Sequence, residues 1–131
     1  MAKRTDREGP VQQAVVEYLR MVMPDAMVVH VRNEINKRGV GFAIELARAK
    51  RRGVVTGFPD IVVLPFSTVG PLFLEVKAPG GYPGKTQKAV HDDLRRLGYH
   101  VGVVRSIDDV RDCLQQWGVG FIEKTGLRGT I

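Results

Sequence analysis

The chain has 131 residues, 44% of them hydrophobic. That suits one globular domain spanning 1–131, able to bury roughly two thirds of its unfolded surface without a disulfide or a structural metal. A net charge of +6 favours a polyanionic partner, and an aromatic content of 7% speaks against a base-stacking platform. The single cysteine, Cys113, excludes an internal disulfide and reads as a small core residue. No zinc-type Cys/His spacing occurs. The charged start lacks the apolar segment of a signal peptide, and no apolar run approaches the roughly 20 residues of a membrane span, so a cytoplasmic protein is expected.

Taken in chain order, residues 10–22 predict a helix. Pro10 sits in its first turn, and Val11, Ala14, Val15, Tyr18, Leu19 and Val22 recur at helical spacing. Residues 27–32 predict a strand, and Asn33 to Gly39 a polar loop. Residues 40–52 predict a helix ending in the basic run Arg48, Lys50, Arg51 and Arg52. The apolar runs 61–64 and 72–76, separated by turn residues, predict a β-hairpin. A Gly/Pro-rich loop follows, then an amphipathic helix over 85–97 with Ala89, Val90, Leu94 and Leu97 turned inward, stopped by Gly98. Residues 100–104 predict a fourth strand, and Ser106 caps a last helix with Asp109 three residues on. The order α-β-α-β-β-α-β-α predicts an α/β fold, a mixed sheet with helices on it.

The chemistry concentrates between Gly57 and Gln87. Glu75 and Lys77 lie two apart in a strand and so point to the same face, while Val76 points into the core. An isolated pair of this kind reads as a strand-end salt bridge. Asp60 changes that reading. A hairpin turning between Ser67 and Thr68 sets Asp60 opposite Glu75, with Cβ atoms about 4.5–5.5 Å apart, although Pro65 and Pro71 could shift that register by a residue. Carboxylates so placed repel unless a proton or a cation lies between them. Mg²⁺ prefers one or two carboxylates with water or phosphate oxygens, and such an ion activates water and polarises a phosphate. Lys77 can then orient the attacking water or offset charge on the phosphoryl oxygens. No phosphate-binding loop or dinucleotide fingerprint is present, which argues against a nucleotide cofactor.

The ordered set Gly57-Phe58-Pro59-Asp60, Glu75-Val76-Lys77, a glycine loop, then Thr86 and Gln87 resembles the PD-(D/E)XK nuclease superfamily, and within it the virus-type replication-repair nuclease (VRR-NUC) domain. The likeness extends to Glu8 and Gln12 in the first helix, to Arg32-Asn33-Glu34, and to the Lys50-Arg51-Arg52-Gly53 run. It implies a restriction-endonuclease-like αβββαβ core, phosphodiester cleavage with Mg²⁺ or Mn²⁺, and Asp60, Glu75 and the Val76 backbone carbonyl as metal ligands. It also implies Lys77 as the catalytic lysine and Gln87 as a phosphate-orienting or lysine-fixing group. Small members of this kind are associated with homodimers acting on branched DNA such as four-way (Holliday) junctions in recombination and repair.

For the acid of the first helix, Glu8 and Glu17 compete. At about 100° per residue, Glu8 and Gln12 lie about 40° apart at the edge of the apolar stripe, and Glu17 about 180° from Glu8, facing solvent. Glu8 is therefore favoured as a metal-side or water-positioning group, although Gly9-Pro10 could place it just before the first turn; its alternative role is a carboxylate at a helix N-terminus. Arg32, Lys50, Arg51, Arg52, Lys85 and Lys88 are candidate DNA contacts, or else solvated helix faces. His30, His91 and His100 do not cluster in sequence, and His30 and His100 read as structural. Tyr99 and Trp117 read as core or interface residues. The alternatives to a junction-cutting enzyme are a nuclease acting on duplex ends, flaps or nicks, and a non-catalytic DNA-binding protein on a nuclease fold.

Overall fold

The computed structural model describes residues 6–32, 41–66 and 68–122. Eight elements follow in the predicted order: α1 (Glu8–Val22), β1 (Met27–His30), α2 (Phe42–Arg51), β2 (Ile61–Leu64), β3 (Leu72–Val76), α3 (Lys85–Arg96), β4 (His100–Val104) and α4 (Ile107–Gln116). The four strands form one sheet in the order β1-β2-β3-β4. β1 and β3 run antiparallel to β2, and β4 runs parallel to β3. The parallel pair needs a crossover, and α3 supplies it.

The sheet has two unlike faces. Leu72, Leu74 and Val76 of β3 point with Ile61, Val63 and Val104 into a core closed by Val15, Tyr18, Leu19 and Val22 of α1 and by Val110 and Leu114 of α4. Gly102 lets α4 come close, because a Cβ there would meet the Cys113 thiol at 2.7 Å and the Trp117 ring at 3.2 Å. Burial pushes that thiol up to about 11, so Cys113 is an inert packing group. The opposite face carries Phe73, which packs edge-on against Phe58 and Tyr99 at 5.6 and 5.7 Å, and Glu75, which is covered by α3. All five residues of β3 are buried, so Glu75 lies inside the protein rather than on its rim.

Three expectations need correction. The buried residue of α3 is His91, flanked by half-buried Val90 and Leu94 as predicted, whereas Leu97 is 71% exposed and Ala89 is exposed, because the helix also turns Gln87 and His91 toward Glu75. The first helix begins at Glu8, two residues earlier than the sequence predicts. Gly9 and Pro10 occupy its first turn, where a missing N–H costs nothing. Strand β1 stops at His30, and the stretch 33–40 lies outside the described residues. At α4 the Ser106 hydroxyl accepts from the Asp109 N–H at 3.1 Å, as a cap should. The Asp109 carboxylate reaches back one residue further than a capping box, to the Arg105 N–H at 2.8 Å.

Candidate active site

The β2–β3 ladder pairs Ile61 with Leu74, Val62 with Phe73 and Val63 with Leu72. One step further along, the register sets Asp60 opposite Glu75, as the symmetric hairpin predicts. Asp60 is fixed from both sides. Its carbonyl accepts from the Val31 N–H at 2.7 Å, prolonging the β1–β2 ladder, and its Oδ2 accepts from the Val76 N–H at 2.8 Å. The preceding turn is pressed against α3: Gly57 has φ of 87°, and a Cβ there would meet the Thr86 carbonyl at 3.0 Å. A side chain at Gly57 would thus be strained and would push Asp60 away from α3.

Glu75 is 1% exposed and His91 2%. The Gln87 amide nitrogen donates to Glu75 Oε2 at 3.2 Å, and its own oxygen accepts from the Gly84 N–H at 2.8 Å, which settles the way the amide faces. His91 Nε2 lies 3.1 Å from Glu75 Oε1. Gln87 and His91 are four residues apart on α3, one helical turn, so both reach the same carboxylate. Sequence reasoning named Gln87 and missed His91; this spacing was the available signal.

The electrostatics follow from that burial. The Glu75 carboxyl is pushed up to about 9, first by desolvation, then by hydrogen bonding with Asp60 and repulsion from its charge, with Lys77 acting the other way. The His91 imidazole is lowered, first by burial and then by the Arg95 guanidinium. Two facing carboxylates, one of them buried, are the donor set a hard divalent cation takes up, and a cation would displace the proton that burial puts on Glu75. The Val76 side chain is fully buried in the core and its N–H serves Asp60, so its carbonyl is the group it can offer. Among the described residues no three His, Cys, Asp or Glu side chains form a metal-ready cluster.

Lys77 follows β3 directly, its N–H bonded to the Val104 carbonyl at 3.0 Å. Its side chain is 12% exposed, and its Nζ lies 3.8 Å from Glu8 Oε2, on a side chain 51% exposed. Glu8 therefore reaches the site through Lys77. Arg7 ties the same helix end to the glycine loop, donating to the Pro79 carbonyl at 3.3 Å. A cleft of about 890 Å³ opens beside this group, and Glu8, Gln12, Asp60 and Gln87 share its walls. Glu17 is exposed to solvent, as the helical angle predicts, and also borders this open cleft, hydrogen-bonded to Gln13 at 3.1 Å. His30 is exposed on the cleft wall rather than structural in the core, whereas His100 stacks on Trp117 at 5.2 Å and holds a packing role.

Of the basic residues, Arg32 is exposed on the same cleft wall. Lys50, Arg51 and Arg52 are exposed at the end of α2 and are not among the cleft residues. Lys85 and Lys88 are exposed on α3, Lys88 beside a second groove.

Comparison with known proteins agrees with this arrangement. The VRR-NUC domain profile matches residues 3–108. The p44 protein of Acyrthosiphon pisum secondary endosymbiont phage 1, named as a candidate nuclease, is 36% identical over 91 residues, covering 69% of this chain and 90% of that protein. A solved VRR-NUC domain protein shares the fold with a TM-score of 0.64 at 24% identity, covering 88% of this chain and 90% of the other. The helix, three antiparallel strands, crossover helix and parallel fourth strand are the restriction-endonuclease-like α/β fold, with α2 added between β1 and β2. On the profile match over most of its length, the chain belongs to the VRR-NUC family of nuclease domains.

Proposed function

We propose that this chain is a single-domain, divalent-metal-dependent endonuclease that hydrolyses DNA phosphodiester bonds, with branched DNA such as a four-way junction as substrate. Nuclease domains of the PD-(D/E)XK type use divalent metal in general, and Mg²⁺ or Mn²⁺ suits the oxygen donors here. The observation that carries the reading is the meeting of Asp60, buried Glu75 and Lys77 at the ends of β2 and β3.

Asp60 and Glu75 would hold the ion, with the Val76 carbonyl as a further ligand. When bound, the ion supplies an activated water and polarises the scissile phosphate. Gln87 and His91 each engage one oxygen of Glu75 and fix its rotamer, so the carboxylate is oriented before substrate arrives. Lys77 points its ammonium at the side where charge grows on the phosphoryl oxygens. Glu8 lies 3.8 Å from that ammonium and helps to aim it, and its exposed carboxylate is free to orient water. The positive charge of the chain, with Arg32 on the cleft wall, supports a polyanionic substrate.

A homodimer fits a junction of near two-fold symmetry, since a C₂ pair offers two sites to two strands. Helix α2 supports that reading: it buries none of its own residues, and Ile44 is 60% exposed on it. No helix among the described residues is long and apolar enough to cross a membrane.

The test is cleavage of a labelled four-way junction beside its linear duplex, a flap and single strands, in Mg²⁺, Mn²⁺ or EDTA, with Asp60→Ala as control. Paired symmetric nicks in the junction, absent in EDTA and in the variant, are expected. Metal-dependent cutting of the other substrates alone would retain the nuclease and remove the junction preference. No cutting by a folded protein that binds DNA would favour the non-catalytic reading.

A further inference from the structure

On the side of Glu75 away from Asp60, the sheet ends in an arginine that is held in place and whose guanidinium has no acid partner among the described residues. Arg105 follows β4 directly. Val104 pairs with Val76 in the parallel ladder, so Arg105 stands beside Lys77, one strand over and on the same face, at a lateral spacing of about 4.8 Å.

Three contacts fix it. Its N–H donates to Asp109 Oδ2 at 2.8 Å, its Nε donates to the Gly81 carbonyl at 2.8 Å, and its guanidinium carbon lies 4.8 Å from the centroid of the Tyr82 ring. These leave the two terminal amino groups, which meet no carboxylate among the described residues. A half-buried guanidinium that cannot lose its charge and has a free donor edge is suited to a phosphate.

The surroundings fit the same ligand. Arg105, Tyr82, Lys88 and Arg95 line a shallow groove together with His91, the residue that holds Glu75. The acid of the groove, Asp92, is paired with Arg95 at 3.7 Å, and Lys88 has no acid partner among the described residues. The groove is therefore net positive, and it shares a wall with the buried catalytic carboxylate.

We propose that this groove is a second binding site, which holds a phosphodiester of the DNA strand flanking the bond to be cut. Arg105 takes the non-bridging oxygens with its free edge, Tyr82 keeps the guanidinium plane in position, and Lys88 adds a point charge. Arg105 follows the strand next to the one that Lys77 follows, so this phosphate would lie on the DNA strand flanking the scissile bond. The inference rests on the reading of Asp60, Glu75 and Lys77 as a DNA-cutting site, and extends that site in one direction along the strand.

The experiment is fluorescence anisotropy of a labelled four-way junction in EDTA, where no cutting occurs, over a series of KCl concentrations. It compares the wild-type chain with Arg105→Ala, Arg105→Lys and Tyr82→Ala, each checked for folding by thermal melting. Loss of one phosphate contact should lower the salt slope by about 0.9 in Arg105→Ala and weaken binding roughly tenfold at low salt. Arg105→Lys should keep the slope yet bind several-fold less tightly, since a point charge lacks the planar fork. Tyr82→Ala should do the same. An unchanged slope and affinity in folded Arg105→Ala would overturn the proposal, as would weaker binding that tracks only with melting temperature across the three variants. A metal-dependent cleavage assay of the wild-type chain separates the two readings. Cutting with an unchanged Arg105→Ala slope removes the groove alone, whereas no cutting removes the active-site reading beneath it.

Discussion

Glu75 and Glu8 both face Lys77's end of the sheet, but they are held in opposite ways. Glu75 is 1% exposed, and Gln87 and His91 each meet one of its oxygens. Glu8 is half exposed on the first turn of α1 and meets Lys77 at 3.8 Å, a distance an ion pair in water can open at little cost. The first acid is set by the fold and the second is adjustable. A group that must present fixed oxygens to a cation benefits from the first arrangement, and one that must follow a water or a substrate from the second.

The largest effect that would test this contrast lies at the fixed pair. Asp60→Ala or Glu75→Ala should lower the cleavage rate by about 10³-fold or more, in the range of losing a group that acts only in the transition state. Both variants should stay folded at reduced stability, about 1–3 kcal/mol lower, because Asp60→Ala unpairs the Val76 N–H and Glu75→Ala unpairs Gln87 and His91. Unfolding of both in circular dichroism would make the pair structural instead.

A second effect concerns pH. The folded-state value of Glu75, about 9, lies above its ordinary 4.5, so the metal-free folded protein holds a proton there that the unfolded chain releases. Stability from this group is complete below pH 4.5 and is lost as pH rises through the window up to about 9, by at most about 1.4 kcal/mol per pH unit. Denaturant midpoints measured in EDTA should fall between pH 5.5 and 8.5, and Glu75→Gln should flatten that fall. An equal slope in the variant would mean that Glu75 ionises freely, against its burial.

At His91 the contrast can be sharpened. His91→Ala leaves a buried carboxylate oxygen without its partner and should cost about 1–3 kcal/mol of stability and weaken metal binding. His91→Gln, which can still donate, should recover part of the metal affinity; full loss in both would assign His91 to packing. The smallest effect belongs to the adjustable acid. Glu8→Gln should leave stability within about 0.5 kcal/mol, as expected for an exposed pair, and slow cleavage by roughly tenfold in single-turnover kinetics. A loss as large as that of Glu75→Ala would place Glu8 among the fixed ligands.

How much of this was legible beforehand differed by region for a physical reason. The β2–β3 register was readable because the hairpin is short and its two apolar runs are symmetric about the turn; a one-residue shift at Pro65 or Pro71 was the alternative, and the structure has the symmetric pairing, which buries Ile61, Val63, Leu72 and Leu74 together. The Asp60–Glu75 opposition came with it. The facing of α3 was readable only in part from its apolar residues: Val90 and Leu94 turn inward as predicted, but Leu97 is exposed and His91 is buried against Glu75. There a tertiary hydrogen bond outweighs amphipathic periodicity, and only the four-residue spacing of Gln87 and His91 hinted at it. The place of Glu17 and His30 on the cleft wall depends on how α1 and β1 meet, which local pattern does not encode. The Arg105–Tyr82 pair joins residues 23 positions apart, with α3 and β4 between them, and no motif marks it.

The most direct test of the central claim, that Asp60 and Glu75 form a metal-binding nuclease site, is a calorimetric Mn²⁺ titration of the wild-type chain beside Asp60→Asn and Glu75→Gln at pH 7.5. The account predicts binding in the wild type accompanied by proton release, because the cation displaces the proton shared by the two carboxylates, and loss of that binding in both folded variants. Equal Mn²⁺ binding in all three proteins, or none in the wild type, would contradict it.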